Sequence, residues 1–359
     1  MQALRAEFPV FDRLAYLNAG TNGPVPRRAV AAAAESLRLQ AERGRGGWDF
    51  IGPLIETMAS LRGRVAGLLG CEEGEVALTG STTGGVNAVL SALDLPAGDE
   101  VLTSDEEHPG LLAPLAAARE RSGIRIRTAP FAELPVHVRP ETRLVACSHV
   151  SWRTGQVMDT GALAESDAIV LLDGAQGLGA VLFDVRELEC DFYAASGQKW
   201  LCGPNGSGYL YARADRIADL RPPWPGYHVL ASAERVLDLD LHADARRLGT
   251  GPPASDQLAF AHAALDVLEE HGIEAAQRRA VAMAAALAAS LAERGLTVGP
   301  RGASTLVSFE AEDPPKVVER LRTEEDMVLR HLPGTPYVRA SVGAWTSEEE
   351  LDRLVRVAA

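Results

Sequence analysis

Lysine is almost missing from this chain. Lys199 and Lys316 are its only two, while lysine and arginine together number 35. Where positive charge alone is wanted, the sequence uses arginine, so a retained lysine marks a place where arginine does not serve. Basic charge as a whole is also short: Asp and Glu number 49, for a formal net charge of -14. Affinity for nucleic acid comes largely from basic patches, which excludes a phosphate-backbone binder. Cysteine is scarce too. Cys71, Cys147, Cys190 and Cys202 are scattered, with no CxxC or Cys/His spacing. Neither a disulfide framework nor a metal site is indicated, and the four read as reduced thiols of a cytoplasmic protein. No apolar run reaches the ~20 residues that a bilayer crossing needs. The opening "MQALRAEFPVFDRLAYLN" carries charges throughout, unlike a secretory leader. No internal repeat is visible.

What is present is a rhythm. From about residue 75, short β-rich runs alternate with helical stretches: "EVALTG" (75–80), "DEVLTS" (99–104), "RLVACS" (143–148), "DAIVLLD" (167–173), "DFYAAS" (191–196) and "GYLYAR" (208–213). "PGLLAPLAAARERSG" predicts a helix with Pro109 near its start and Gly123 at its stop. Strands alternating with helices predict an α/β fold with a mainly parallel sheet covered on both faces. After a loop-like segment at 220–230, two Ala/Leu-rich helices are expected at 253–271 and 273–294, followed by a smaller α+β unit. The expected division is a large domain at 15–245 and a small domain made of 1–14 and 246–359.

Ligands of open parallel sheets bind beyond the carboxyl ends of the strands. Thr82, Thr83, His108, Trp152, Asp173, Gln176, Ser196 and Lys199 all follow such ends. Each has a plain reading as well: the threonines cap a helix, Asp173 makes a turn before Gly174, and His108 is a loop histidine. The threonines with Gly84 and Gly85 also suit an anion at a helix N-terminus. A carboxylate ending an apolar strand is costly unless a cation meets it. Lys199 is the sharpest signal. Arginine stays protonated, whereas a partly desolvated lysine can lose its proton, attack a carbonyl and form a Schiff base.

In their order these segments resemble the class V aminotransferase and cysteine desulfurase family, which uses pyridoxal 5′-phosphate (PLP). "YLNAGTNGPVP", "STTGGVN", "EEHPG", "DGAQ", "SGQK", "RLGTG" and "YVRAS" carry the resemblance over nearly the whole chain. It implies a fold-type I enzyme with a mainly parallel seven-stranded sheet and a smaller C-terminal α+β domain. It further implies that Lys199 holds PLP and moves protons, that Asp173 pairs with the pyridinium nitrogen, and that Gln176 bonds the ring's phenolic oxygen. His108 would stack on the ring, and Thr82, Thr83 and Ser196 would hold the phosphate. Gly249 and Thr250 would come from the partner of a homodimer with shared active sites. Arg339 would bind the substrate carboxylate, with Asn18 and Trp152 among the specificity contacts.

Departures from the pattern shape the expectation. Gln198 stands where the family often has a phosphate-binding histidine, and Trp152 where desulfurases often have asparagine. "VLRHLPGTPYVRAS" lacks the cysteine that desulfurases place before the carboxylate-binding arginine. The expected activity is therefore that of a PLP enzyme acting on an α-amino acid through an external aldimine, and not a cysteine desulfurase. Transamination is placed slightly ahead by economy, since Lys199 suffices as base and acid. The alternatives are β-elimination by a carbon–sulfur lyase, epimerisation, or a non-catalytic binding module. "YLNAGTNGPVP" and "QKWLCGP" look closest to the family's isopenicillin N epimerase-like and carbon–sulfur lyase-like branches.

Overall fold

In the computed structural model, which describes residues 2–222 and 224–358, the apolar runs become strands buried on both faces. Met1 and Ala359, at the ends of the expected small domain, and Pro223, in the expected loop, lie outside the described residues. After a short N-terminal β1 (Ala15–Tyr16) come β2 (Val76–Thr79), β3 (Glu100–Ser104), β4 (Arg125–Ala129) and β5 (Thr142–Ser148). They are followed by β6 (Ile169–Asp173), β7 (Phe192–Ser196) and β8 (Gly208–Ala212). Strands β2 to β8 form one seven-stranded sheet in the order β2-β8-β7-β6-β5-β3-β4. Neighbours from β7 to β4 are parallel, and β8 alone runs antiparallel to both its neighbours. The expected α/β class and mainly parallel sheet are borne out.

The strand sequences explain their burial. Along β6, Val170 and Leu172 join one apolar cluster, and Ile169 and Leu171 join the other. One face is covered by the helix Trp48–Leu69 and the helix Ser255–Glu270, the other by Thr82–Ala92 and Pro109–Ser122. A strand packed on both sides has no polar face to show, hence its continuous apolar run. Pro109 occupies the first turn of its helix, and Gly123 ends it at φ 73°, a left-handed position that glycine takes without a Cβ penalty.

The C-terminal part builds a three-stranded antiparallel sheet from β9 (Leu306–Glu310), β11 (Arg330–His331) and β12 (Tyr337–Ser341), in the order β11-β12-β9. The intervening β10 (Met327–Val328) pairs in parallel with β1. "MVLRHL", which reads as one strand, is thus split at Leu329 between two sheets. Ala15 and Leu17 share a core with Met283, Leu287, Phe309, Val338 and Leu354. Residues 15–17, counted above with the large domain, therefore pack with the C-terminal unit, and we propose the two-domain division with that change. No described helix is long and apolar enough to cross a membrane.

Candidate active site

The helix Thr82–Ala92 begins beyond the end of β2, and its N-cap is Ser81, whose hydroxyl accepts from the Gly84 N–H at 3.0 Å. The threonines are thus not needed as the cap. The Thr82 hydroxyl is buried and unpartnered, as are the Ser196 hydroxyl at the end of β7 and the Gln198 side-chain oxygen. Buried polar atoms are normally satisfied, so orphans gathered at strand ends point to a missing polar group. A second helix N-terminus converges here. A Cβ on Gly110 would lie 2.5 Å from the Thr83 hydroxyl and 3.0 Å from His108 Nδ1. His108 itself caps that helix, its Nδ1 accepting from the Gly110 N–H at 2.9 Å, which fixes the plane of its ring. The Trp152 ring meets it edge-on with centroids 5.0 Å apart.

Asp173 ends β6 and is 5% exposed; its carboxylate accepts from the Ala175 N–H at 2.9 Å. Burial raises its pKa, against the pull of Lys199 and of that hydrogen bond. Loss of water brings the Lys199 amine down to about 8; Asp173 opposes the shift, and Arg339 and Arg330 add to it. Burial with the same three cations lowers the His108 imidazole to about 4, so at neutral pH it is uncharged. Above pH 8 the apo protein therefore presents a free lysine amine. The rate at which it captures PLP, followed by absorbance, is expected to rise with pH to a midpoint of about 8 and then level off. A free-lysine midpoint near 10 would contradict this electrostatic environment.

Arg339, on β12, is 1% exposed. One of its Nη atoms donates to the Trp152 carbonyl at 2.7 Å, while Nε and the other Nη are buried without a partner. Gly20 makes room beside it: a Cβ there would sit 3.0 Å from that free Nη, 3.0 Å from Gln176 Oε1 and 2.8 Å from the Ser341 hydroxyl. Gln176 clamps this loop to the lysine bend, donating to the Gly20 carbonyl at 2.7 Å and accepting from the Trp200 indole at 3.0 Å. Asn18 turns inward to accept from the Thr21 hydroxyl at 2.7 Å. Gly249 and Thr250 lie beside the end of β2, with the Thr250 N–H directed at the Leu78 carbonyl.

Two groups escaped the sequence reading. Arg330 lies directly across the β11–β12 ladder from Arg339 and donates to the Thr21 hydroxyl at 3.0 Å. Only the strand register reveals it. Glu107 is buried, held by the Ser104 hydroxyl, the Ser148 N–H and the Ser148 hydroxyl at 2.5, 3.0 and 2.5 Å. Burial, with a contribution from Asp173, pushes its carboxyl up to about 7. A hydroxyl-bearing strand end facing a buried carboxyl was the available signal.

An orphaned hydroxyl at a helix N-terminus and another at the end of β7, a buried acid, a lysine short of protons and a buried guanidinium with free donors fit an anionic, heterocyclic aldehyde cofactor and an amino-acid carboxylate. This combination on a seven-stranded mainly parallel sheet defines a fold-type I PLP enzyme. The model for aminotransferase class-V matches residues 15–354, and the chain belongs to that PLP-dependent family. A cysteine desulfurase of Pectobacterium atrosepticum is 29% identical over 393 residues, covering 99% of this chain and 96% of the relative. An isopenicillin N epimerase of Streptomyces clavuligerus is 29% identical over 389 residues, covering 94% and 92%. A solved complex between the cystine C–S lyase C-DES and its product cysteine persulfide superposes with a TM-score of 0.91 at 29% identity, covering 98% of this chain and 99% of that one. The expected family and cofactor stand. The exclusion of a cysteine desulfurase does not: relatives of that name match along the whole chain, and the lack of one loop cysteine between Leu329 and Arg339 was too narrow a ground.

Proposed function

We propose that this chain splits the carbon–sulfur bond of a sulfur-containing α-amino acid with a second carboxylate, of the cystine kind, by β-elimination. The observation that carries the reading is the pair Arg339 and Arg330. They are cross-strand neighbours, both acting on the Lys199 amine, and neither forms an ion pair with a described carboxylate. Two guanidinium groups suit two carboxylates, and the fork of donors on each gives a directional grip. Support comes also from the likeness to a cystine C–S lyase and to cysteine desulfurases, all proteins named for sulfur amino acids.

PLP, when bound, supplies an electron sink for the pair left at the substrate's Cα. Thr82, Thr83 and Ser196 would hold its phosphate, with Gln198 Oε1 a poor match for an anion because it is an acceptor. Asp173 would keep a ring nitrogen protonated, Gln176 has one amide hydrogen left for the phenolic oxygen, and neutral His108 would lie on the ring face. Arg339 orients the α-carboxylate and Arg330 the distal one. Lys199 would take the proton from Cα and return it to the departing sulfur, so that breaking Cβ–S releases a thiol or persulfide. Hydrolysis of the remaining three-carbon imine would give pyruvate and ammonia. We further propose a cytoplasmic homodimer in which Gly249, Thr250 and the neighbouring loop complete the partner's site.

The deciding experiment incubates the PLP-loaded protein with cystine, cysteine and a panel of other amino acids. Pyruvate formed in equal amount with persulfide from cystine, or with sulfide from cysteine, supports the proposal. A pyridoxamine-form spectrum without pyruvate identifies transamination, and inverted configuration alone identifies the epimerase. Sulfur retained on a protein cysteine identifies a desulfurase. Arg330→Ala is expected to raise KM for cystine about tenfold or more, the cost of ~1.5–3 kcal/mol for a charged hydrogen bond, while KM for cysteine changes little. Equal losses on both would remove Arg330 from recognition.

A further inference from the structure

The segment between β5 and β6 bridges the two sheets. Three of its backbone carbonyls are taken by side chains of the C-terminal unit: Trp152 by Arg339 at 2.7 Å, Arg153 by Ser308 at 2.5 Å and Gly155 by Ser304 at 2.6 Å. Ser308 is the register partner of Arg339 on β9. Gly155 must be glycine, with φ 82° and Ser304 Oγ only 2.7 Å from where a Cβ would lie. On the other side the segment is tied to the large sheet. The Glu106 carboxylate accepts from the Ser151 hydroxyl and, at 2.8 Å, from the Thr154 hydroxyl, and Arg153 donates to the Asp105 carbonyl at 3.1 Å.

We propose that Glu106 is a positioning residue for substrate recognition, anchoring the 151–155 segment so that the Trp152 carbonyl holds Arg339 with its remaining donors aimed at the substrate carboxylate. Glu106 touches neither substrate nor cofactor. It closes a ring that runs from β3 through Ser151 and Thr154 to Trp152, then to Arg339 and back across the interface. A guanidinium pre-bound at one Nη loses fewer orientations on binding a carboxylate with the others. The Trp152 ring against His108 is set by the same anchor. Of the groups that would hold PLP, Thr82, Ser196 and Asp173 stand on other strand ends, and His108 is held separately by its own bond from the Gly110 N–H.

The inference rests on the reading of Arg339 as carboxylate receptor, and its test is independent of carbon–sulfur cleavage. PLP-loaded protein is titrated with glycine, which carries a carboxylate, and with methylamine, which does not, following the visible band. Glu106→Ala is expected to weaken glycine about tenfold and methylamine less than twofold, with PLP affinity retained. In the apo protein, amide exchange at 151–155 is expected to quicken about tenfold. Glu106→Gln, which keeps an acceptor, should restore much of both, and Thr154→Ala serves if the alanine variant does not fold. Equal weakening of glycine and methylamine, or unchanged glycine affinity in either variant, would overturn the proposal. Failure of sulfur and pyruvate release would sink the reaction reading and leave this comparison intact.

Discussion

Lys199→Arg is expected to abolish the visible band of the PLP-loaded protein and to reduce turnover by at least ~10³-fold, since both the covalent link and the proton shuttle are lost. Arginine keeps charge and much of the length, so charge is controlled for; what it removes is an amine that can attack a carbonyl. Lys199→Ala should do the same. The loss in the alanine variant should not come from unfolding. The lysine's pKa lies below its free value, so its protonated form costs the apo fold stability at neutral pH. That cost is fully present below pH 8, fades as pH rises through 8 to the free-lysine value, and is absent from the alanine variant. The apo alanine variant is accordingly expected to melt no lower than the parent at pH 7. An arginine variant that keeps the visible band, or more than a tenth of the turnover, would contradict the assignment of the lysine.

How much of this was legible in the sequence depended on the physics of each feature. β6 was legible because a strand buried on both faces must be continuously apolar, and Asp173 because it interrupts such a run. Lys199 stood out by contrast with arginine. The helix Arg27–Arg43 drew no notice: its inward face is rich in alanine, and only Ala29 on it is fully buried. Thr82 had two readings, cap or ligand, and only the Ser81–Gly84 hydrogen bond freed its hydroxyl. Arg330 required a register, because its meaning lies in facing Arg339 from a strand that the sequence runs together with β10. Glu106 and Glu107 look like one acidic pair in "DEEH", yet one grips the 151–155 segment and the other is buried against Ser104 and Ser148. A missing cysteine carried too much weight against a match over the whole chain.

Asp173→Asn is expected to move stability and activity in opposite directions. In the apo protein the carboxylate is buried and has one backbone hydrogen bond. Its pKa is raised, so the folded state disfavours the charge that the unfolded chain carries freely. For an acid with a raised folded pKa, the penalty is absent below the unfolded value and grows as pH rises through the range up to the folded one. At pH 7 the asparagine variant avoids it, and its apo form is expected to melt at or above the parent's temperature; at pH 3 the difference should vanish. The loaded enzyme pays the opposite way, because an amide cannot keep a ring nitrogen protonated and the electron sink weakens. Turnover is expected to fall ~10²–10³-fold, the scale of removing one preorganised electrostatic partner, with PLP still bound through Lys199 and the phosphate hydroxyls. A stabilised but nearly inactive variant would mark Asp173 as a group kept for chemistry at the expense of the fold. Lower apo stability at pH 7 with activity retained would mean that its carboxylate serves the fold instead.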